Sequence, residues 1–250
     1  MSKKICVVTG AGSGIGKASA LELLKNNFTV ILSGRNLSKL EDVKKLASEN
    51  SANCYLHEVD VSDYESVKKL FGFVIKKFNR LDVLFNNAGI GAPAISIEDL
   101  PIENWHSVVN TNLNGMLYCI KEAFKIMKEQ KPNGGRIINN GSVSAYAPRP
   151  NSFAYTATKH AVTGLTKSAS LDGRKYNIAC SQIDIGNALT DLAAKFKDGV
   201  PQADGSIKAE SVMDVIHVAN AIVQIAKQPL DVNTQFMTIM ATKMPFIGRG

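Results

Sequence analysis

The stretch Lys4-Ile-Cys-Val-Val-Thr9-Gly10-Ala-Gly-Ser-Gly14-Ile-Gly16 decides the fold. Its first six residues predict a buried β-strand, because apolar and β-branched residues follow one another without interruption. The glycines allow a tight turn and a close approach of the backbone to a bound pyrophosphate. A helical pattern then begins, and a helix N-terminus offers free N–H groups and a positive dipole end. Strand, turn and helix together predict a dinucleotide site. Its candidate residues are Gly10, Ser13, Gly14, Ile15 and Gly16.

The alternation of strand and helix continues along the chain. Apolar runs predict strands at residues 4–9, 28–33, 53–58, 81–85, 135–140, 178–184 and 234–239. Helical patterns between them predict helices at about 14–26, 37–49, 63–78, 100–130, 152–175 and 211–227. Near-continuous hydrophobic strands separated by helices indicate a parallel sheet with helices on both faces. We therefore expect residues 1–250 to form a single domain with a doubly wound, Rossmann-type α/β fold.

Residues 186–208 do not fit this alternation. They mix Gly186, Gly199, Pro201 and Gly205 with polar and apolar residues. Loops of this length in compact domains usually serve a function or are mobile. The segment follows the sixth strand at its carboxyl end, where such sheets bind ligands. We expect it to contact the substrate.

The composition limits the classes of protein to which this chain can belong. The chain has 250 residues, of which 45% are apolar, enough for one sizeable core. No apolar run is long enough for a transmembrane helix, and the run at Ile5 breaks too early for a signal peptide, so we expect a cytoplasmic protein. The four cysteines are far apart and the histidines are scattered, which predicts buried thiols and no metal site.

The formal net charge of +7 raises the question of nucleic acid. The lysines at 68, 69, 76 and 77 alternate with apolar residues that share one helix face, so the lysines are expected in water on the other face. Ser62 and Glu65 have the spacing of a capping box at the start of this helix. We therefore expect no nucleic-acid partner.

The ends of the next strands predict the rest of the cofactor site. After the second strand the chain has Arg35 and no carboxylate, and an arginine there can bind the 2′-phosphate of NADP(H). NADP(H) is thus favoured over NAD(H), unless Arg35 is only a surface residue. Further candidates follow the third and fourth strands. These are Asp60, Val61, Asn87, Ala88 and Gly89.

Tyr155 and Lys159 lie at i and i+4, on one face of a predicted helix. A tyrosine phenol in water titrates near pH 10, too high for acid–base work at neutral pH. A nearby cation favours the phenolate, which gives this spacing a chemical purpose. By itself the pair is a common coincidence. Ser142, after the fifth strand, is expected to donate a hydrogen bond to a substrate oxygen, and Asn112 to hold a water behind Lys159.

With these motifs in order, the chain resembles the short-chain dehydrogenase/reductase family over nearly all of residues 4–240. The resemblance implies a seven-stranded parallel sheet and hydride transfer between a nicotinamide and a carbonyl or secondary alcohol. It implies that Ser142 polarises the carbonyl, Tyr155 transfers the proton, Lys159 holds the ribose, and Asn112 links Lys159 to solvent. It adds Thr190 as a cofactor contact. It also implies a homodimer or a homotetramer.

Two features depart from the family pattern. Where the family usually has Pro-Gly after the sixth strand, this chain has Asp184-Ile185-Gly186-Asn187, so the turn keeps its glycine and loses the fixed φ of proline. The C-terminal residues 241–250 include Met244, Phe246 and Ile247. We hypothesise that this tail packs at a subunit interface, the alternative being packing on its own domain.

Substrate identity stays open at this point. Expected substrate contacts are Val143, Ala145, Tyr146, Arg149, Ala188, Leu189, Ala193 and Phe196. A 3-oxoacyl-thioester reductase is one alternative, and a catalytically silent binding protein on the same fold is another. The intact set of Asn112, Ser142, Tyr155 and Lys159 favours an enzyme.

Overall fold

The computed structural model describes residues 3–190 and 199–247. Its strands are β1 (Ile5–Thr9), β2 (Thr29–Gly34), β3 (Cys54–Glu58), β4 (Val83–Asn86), β5 (Gly135–Asn140), β6 (Ile178–Ile185), β7 (Val200–Pro201), β8 (Ile207–Lys208) and β9 (Phe236–Ile239). Its α-helices are α1 (Gly14–Lys25), α2 (Leu37–Leu46), α3 (Tyr64–Phe78), α4 (Ile102–Val109), α5 (Gly115–Glu129), α6 (Phe153–Gly173) and α7 (Val215–Lys227).

Seven strands form one parallel sheet in the order β3-β2-β1-β4-β5-β6-β9. The order reverses between β1 and β4, so their carboxyl ends open a crevice at the centre of the sheet. All seven predicted strands are present, and the Rossmann-type fold is confirmed.

Alternate residues of the central strands build a core on each face of the sheet. Cys6 and Val8 of β1 pack toward the face covered by α1 and α7. Val7, between them, packs toward the other face, with residues of α3, α5 and α6. Each fully buried aliphatic side chain of this kind contributes roughly 1.5–3 kcal/mol. The two cores hold the strand ends that carry the site in a fixed frame.

The predicted helix at 100–130 is interrupted. Between α4 and α5 the backbone makes a π-helical turn at Asn110–Asn114, where the Gly115 N–H donates to the Asn110 carbonyl. Asparagine has weak helix propensity, and within this turn the Asn112 side chain bonds the backbone of Ile90. Gly115 is needed here, since a methyl group on it would lie 2.8 Å from Val61 Cγ2.

The start of α3 corrects the predicted capping box. Asp63 is the N-cap residue and accepts a hydrogen bond from the Glu65 N–H at 3.0 Å. Ser62 instead donates its hydroxyl to Asp60 Oδ1 at 2.7 Å, because the turn after β3 uses it. The lysines of α3 are exposed, as predicted, and its apolar face is buried.

Within residues 186–208, the described part contains an antiparallel pair, β7 with β8. The chain reverses at Gly205, which has φ +80°. Helix α7 begins later than the predicted residue 211, at Val215, with Asp214 as its N-cap residue. The expected substrate contacts Ala193 and Phe196 lie outside the described residues.

The C-terminal tail packs on its own domain. Met244 is buried, and its sulfur accepts a hydrogen bond from the Asn187 N–H at 3.3 Å. The Phe246 ring meets the Tyr146 ring edge-on, with 6.2 Å between centroids. Met244 is therefore covered by its own chain, whereas Phe246 is half-buried and Ile247 is exposed. Packing of the tail at a subunit interface stays a hypothesis.

The prediction of buried thiols is confirmed. The four cysteines are buried and unpaired. Burial raises the pKa of Cys54 to about 11 and that of Cys180 to about 12, which keeps these thiols neutral. No helix among residues 3–190 and 199–247 is long and apolar enough to cross a membrane. Within the same residues no cluster of metal-binding side chains is found.

Candidate active site

The glycine turn between β1 and α1 forms a cradle that side chains would fill. Gly10 and Gly14 have φ values of +66° and +49°, a region that favours glycine. A methyl group on Gly16 would lie 2.2 Å from the Gly10 carbonyl oxygen. The first N–H groups of α1 have no partner within the helix, and no side chain caps them. This geometry fits the pyrophosphate of a dinucleotide.

Thr9 and Asn87 brace this cradle. Thr9 Oγ1 accepts hydrogen bonds from the backbone N–H groups of Asn87 and Ala88, each at 2.9 Å. The Asn87 side chain donates to the Thr9 carbonyl at 2.9 Å and accepts from Asn140 Nδ2 at 2.8 Å. Asn87 lines the cavity as predicted, but its amide is committed to joining the ends of β1, β4 and β5.

The other predicted cofactor residues lie around the same cavity. Ser13, Ile15, Val61 and Gly89 line it. Thr190 faces the start of α1, since a methyl group on Gly14 would lie 3.2 Å from Thr190 Cγ2. Asp60 lines the cavity too, with Oδ1 held by both the N–H and the hydroxyl of Ser62.

Two cations stand at the end of the cavity next to β2. Arg35, which the sequence predicts, is joined by Lys39 from the first turn of α2. Both side chains are exposed, and no carboxylate belongs to the cavity wall at the end of β2 among the described residues. This corner suits an anionic group more than a neutral one.

Tyr155 and Lys159 meet on the inner face of α6. Lys159 Nζ lies 5.5 Å from the centroid of the Tyr155 ring and donates to the Asn140 carbonyl at 2.7 Å. Lys159 is buried, whereas Tyr155 is half-buried and lines the cavity. An ammonium has three donors, so two remain for groups that enter the cavity.

Ser142 begins a short 3-10 turn after β5. Its Oγ accepts a hydrogen bond from the Ser144 N–H at 3.0 Å. A hydroxyl that accepts in this way still has its own hydrogen to donate. Because Ser142 lines the same cavity as Tyr155, that hydrogen can serve a substrate oxygen there.

The side chain of Asn112 bonds the backbone of the segment that follows β4. Its Oδ1 accepts from the Ile90 N–H at 2.8 Å, and its Nδ2 donates to the Ile90 carbonyl at 2.9 Å. A longer contact of 3.4 Å joins Nδ2 to Thr158 Oγ1, which in turn bonds the Tyr155 carbonyl. Asn112 thus ties the segment after β4 to α6. Its Oδ1 keeps a second lone pair, so the water expected behind Lys159 stays a prediction.

The cavity that these residues line has a volume of about 610 Å³. Val143, Arg149 and Ala188 line it, as expected for substrate contacts. Ala145, Tyr146 and Leu189 do not belong to its wall. Three further wall residues, Asn187, Val200 and Pro201, belong to the segment 186–208 that the sequence predicts to contact the substrate. Sequence reasoning missed Lys39, Asn140 and Ser144.

A largely buried ion pair joins Arg149, shortly before α6, to Glu210, shortly after β8. Arg149 Nη2 contacts Glu210 Oε2, and Glu210 also accepts from Asn187 Nδ2 at 2.7 Å and Gln202 Nε2 at 3.0 Å. Burial alone would raise the pKa of Glu210, but the hydrogen bonds from Arg149, Gln202 and Asn187 outweigh it and hold the pKa below its usual range.

This pair makes stability depend on pH. Because the folded-state pKa is depressed, ionised Glu210 stabilises the fold above the unfolded-state value of about 4.3, and that contribution is lost as pH falls through the folded-state value. Glu210→Gln should lower the free energy of unfolding at pH 7 by about 1.5–3 kcal/mol, the usual worth of a hydrogen bond to a charged group. Urea unfolding at several pH values measures this difference, which should shrink below about pH 4.

A control is available on the neighbouring hairpin of β7 and β8. Asp204→Asn removes the charge that pairs with Lys208, both side chains being largely exposed, and keeps an oxygen that can accept the Ser206 N–H. Exposed pairs contribute little, so this variant should unfold like the unmodified protein at pH 7. Equal stability of Glu210→Gln and Asp204→Asn at pH 7 would contradict the role given to Glu210.

Comparison with known proteins decides the family. A sequence model described as short chain dehydrogenase matches residues 4–200. This chain belongs to the short-chain dehydrogenase/reductase family. A 3beta-hydroxysteroid dehydrogenase of Mediterraneibacter gnavus is 36% identical over 211 residues, which cover 78% of this chain and 75% of that protein.

Solved structures agree in fold over almost the whole chain. The structure of ElxO with NADP bound has a TM-score of 0.84 and 30% identity, and covers 96% of this chain and 97% of that one. A 3-ketoacyl-(acyl-carrier-protein) reductase from Brucella melitensis, complexed with NADH, has a TM-score of 0.84 and 25% identity, with the same coverage. As a short-chain dehydrogenase, this chain is an oxidoreductase that uses a nicotinamide cofactor and acts on a small-molecule carbonyl or alcohol.

Proposed function

We propose that this short-chain dehydrogenase interconverts a small carbonyl compound and its secondary alcohol with NADP(H), and that Tyr155 transfers the proton. The observation that carries the proposal is the buried Lys159 beside the Tyr155 ring, at 5.5 Å from Nζ to the centroid, in a cavity that also holds Ser142 and the glycine cradle. A bound nicotinamide would supply or accept the hydride at the substrate carbon.

The chain's own residues handle the oxygen and the proton. In the reducing direction, the Ser142 hydroxyl donates to the substrate oxygen and orients it. The Tyr155 phenol then delivers its proton to that oxygen as the alcohol forms. Lys159 stabilises the resulting phenolate by its charge, and its remaining donors suit the ribose hydroxyls. Asn112 acts indirectly, because its side chain holds Ile90 and contacts the helix that carries Tyr155. In the oxidising direction each transfer runs backwards.

The preference for NADP(H) rests on Arg35 and Lys39. A double variant, Arg35→Ala with Lys39→Ala, should lower kcat/KM for NADPH by about 10- to 100-fold, because charge-assisted hydrogen bonds to a phosphate contribute about 1.5–3 kcal/mol. The value for NADH should change by less than about threefold, since the lost contacts involve only the 2′-phosphate. Initial rates with each cofactor measure both.

Lys45→Ala is the control for general charge, because Lys45 lies on the same helix and outside the cavity. It should leave the ratio of NADPH to NADH efficiency unchanged. A clear preference of the unmodified enzyme for NADH would refute the NADP(H) assignment and leave Arg35 as a surface residue.

The substrate is found by a panel of carbonyls with NADPH and alcohols with NADP⁺, followed by the absorbance of the reduced nicotinamide. Cyclic apolar alcohols belong in it because a relative is a 3beta-hydroxysteroid dehydrogenase. Small keto acids and 3-oxoacyl thioesters also belong in it. No turnover of any compound, with cofactor bound, would favour a silent binding protein. A cytoplasmic location and a homodimer or homotetramer remain part of the proposal, for fractionation and mass measurement to test.

A further inference from the structure

A carboxylate lies buried directly behind the catalytic serine. Asp184, near the end of β6, is fully buried. Its Oδ1 accepts the Ser142 backbone N–H at 3.0 Å and Gln182 Nε2 at 2.7 Å. Burying a carboxylate is costly unless hydrogen bonds compensate it. The reaction described above makes no use of Asp184, so its presence needs another explanation.

The second oxygen of Asp184 binds the far end of the same turn. Tyr146 donates its hydroxyl to Asp184 Oδ2 at 2.8 Å. Burial, together with the hydrogen bond to Asp184, raises the pKa of Tyr146 to about 12, so the phenol keeps its proton and remains a donor at neutral pH. The Tyr146 ring is supported from outside by Phe246 of the tail.

One carboxylate thus holds both ends of the segment from Ser142 to Tyr146. Between the ends, the chain makes the 3-10 turn Val143–Ala145, which is too short to be rigid by itself. The neighbouring backbone makes room for the carboxylate, because a methyl group on Gly141 would lie 2.0 Å from Asp184 Oδ1.

The strand that carries Asp184 is itself well anchored. β6 continues through Ile185, the position where the family usually has proline, in register with Ile239 of β9. The Gly186 N–H then donates to the Ile239 carbonyl at 2.8 Å. The missing proline therefore does not loosen this turn, and Asp184 has a firm base from which to hold Ser142.

We propose that Asp184 is a positioning residue, which sets the direction of the Ser142 hydroxyl by holding the Ser142 N–H and, through Tyr146, the end of the following turn. The inference rests on the proposed role of Ser142 as the hydrogen-bond donor to the substrate. Misplacing a reacting group by about 1 Å can cost about 100-fold in rate, so a residue that only orients Ser142 has a measurable effect on kcat.

A double-mutant cycle tests this role. Asp184→Ala should lower kcat by about 10- to 100-fold, while the dissociation constant of NADPH, measured by its fluorescence, changes by less than about twofold. Asp184→Asn should recover much of the rate, because an amide oxygen can still accept the Ser142 N–H. In a Ser142→Ala background, Asp184→Ala should lower kcat by less than about threefold, since residues that act through one another are not additive.

The double-mutant cycle distinguishes a failure of the proposed Ser142 role from a failure of the proposed Asp184 role. Full activity of Ser142→Ala would refute the role of the serine, and the positioning role with it. A slow Ser142→Ala enzyme that Asp184→Ala slows further by its full factor would overturn the positioning role alone. So would an unchanged kcat for Asp184→Ala. If Asp184→Ala does not fold, Tyr146→Phe replaces it in the cycle, with an expected loss of about 3- to 10-fold under the same two criteria.

Discussion

Replacing Tyr155 by phenylalanine should lower kcat by about two to four orders of magnitude, the range for a positioned acid–base group. The substitution removes only the hydroxyl, so the ring keeps its place beside Lys159. Cofactor binding should persist, because the glycine cradle and Lys159 are untouched. Steady-state rates with the best compound of the panel, together with titration of NADPH fluorescence, measure the two effects separately.

Tyr176→Phe is the matched control. Tyr176 follows α6 at its far end and lies outside the cavity wall. Its loss of a hydroxyl should leave kcat unchanged. Retention of full activity by Tyr155→Phe would refute the proposed mechanism, and loss of NADPH binding in that variant would show that the hydroxyl serves the cofactor as well as the proton.

Gly16→Ala should abolish measurable cofactor binding. A methyl group there would lie 2.2 Å from the Gly10 carbonyl oxygen and 2.6 Å from Asn87 Nδ2. Neither group can withdraw easily, because Asn87 is bonded to Thr9 and Asn140. The cradle must therefore open, at a cost of about 1–3 kcal/mol in stability, typical of overpacking. Calorimetric titration with NADPH and thermal unfolding are the measurements.

Gly72→Ala is the control for Gly16→Ala, because it adds the same methyl group at a glycine with open space around it. Gly72 lies on the exposed face of α3, and a methyl group there meets nothing within 4 Å. Alanine should stabilise the helix by about 0.5–1 kcal/mol and leave NADPH binding unchanged. Normal binding by Gly16→Ala would show that the cradle does not carry the pyrophosphate.

The sequence predicts the frame of this enzyme well because the frame follows from local patterns. Apolar runs mark all seven strands of the large sheet, and Gly10 and Gly14 have the positive φ values that a glycine-rich turn requires. Tyr155 and Lys159 share a helix face, so their proximity follows from spacing alone. The cavity then collects Ser142 with them, as the positions at strand ends indicate.

What the sequence could not show depends on contacts between distant residues. The amide of Asn112 is bound by Ile90, 22 positions away, and Asp184 reaches back 42 positions to Ser142. No periodicity records such a pairing. The capping box was wrong for a subtler reason, since Ser62 and Asp63 are both good capping residues and only the turn at Asp60 decides between them.

The buried contact between Met244 and Asn187 bears on how the site is completed during folding. Met244 packs against the turn that follows β6, 57 positions away along the chain. A non-local contact of this kind costs more loop-closure entropy than a local one. Tyr155 and Lys159, by contrast, lie on the single helix α6 and come together when that helix forms. The catalytic pair thus depends on local structure, whereas the wall beside Asn187 depends on the tail.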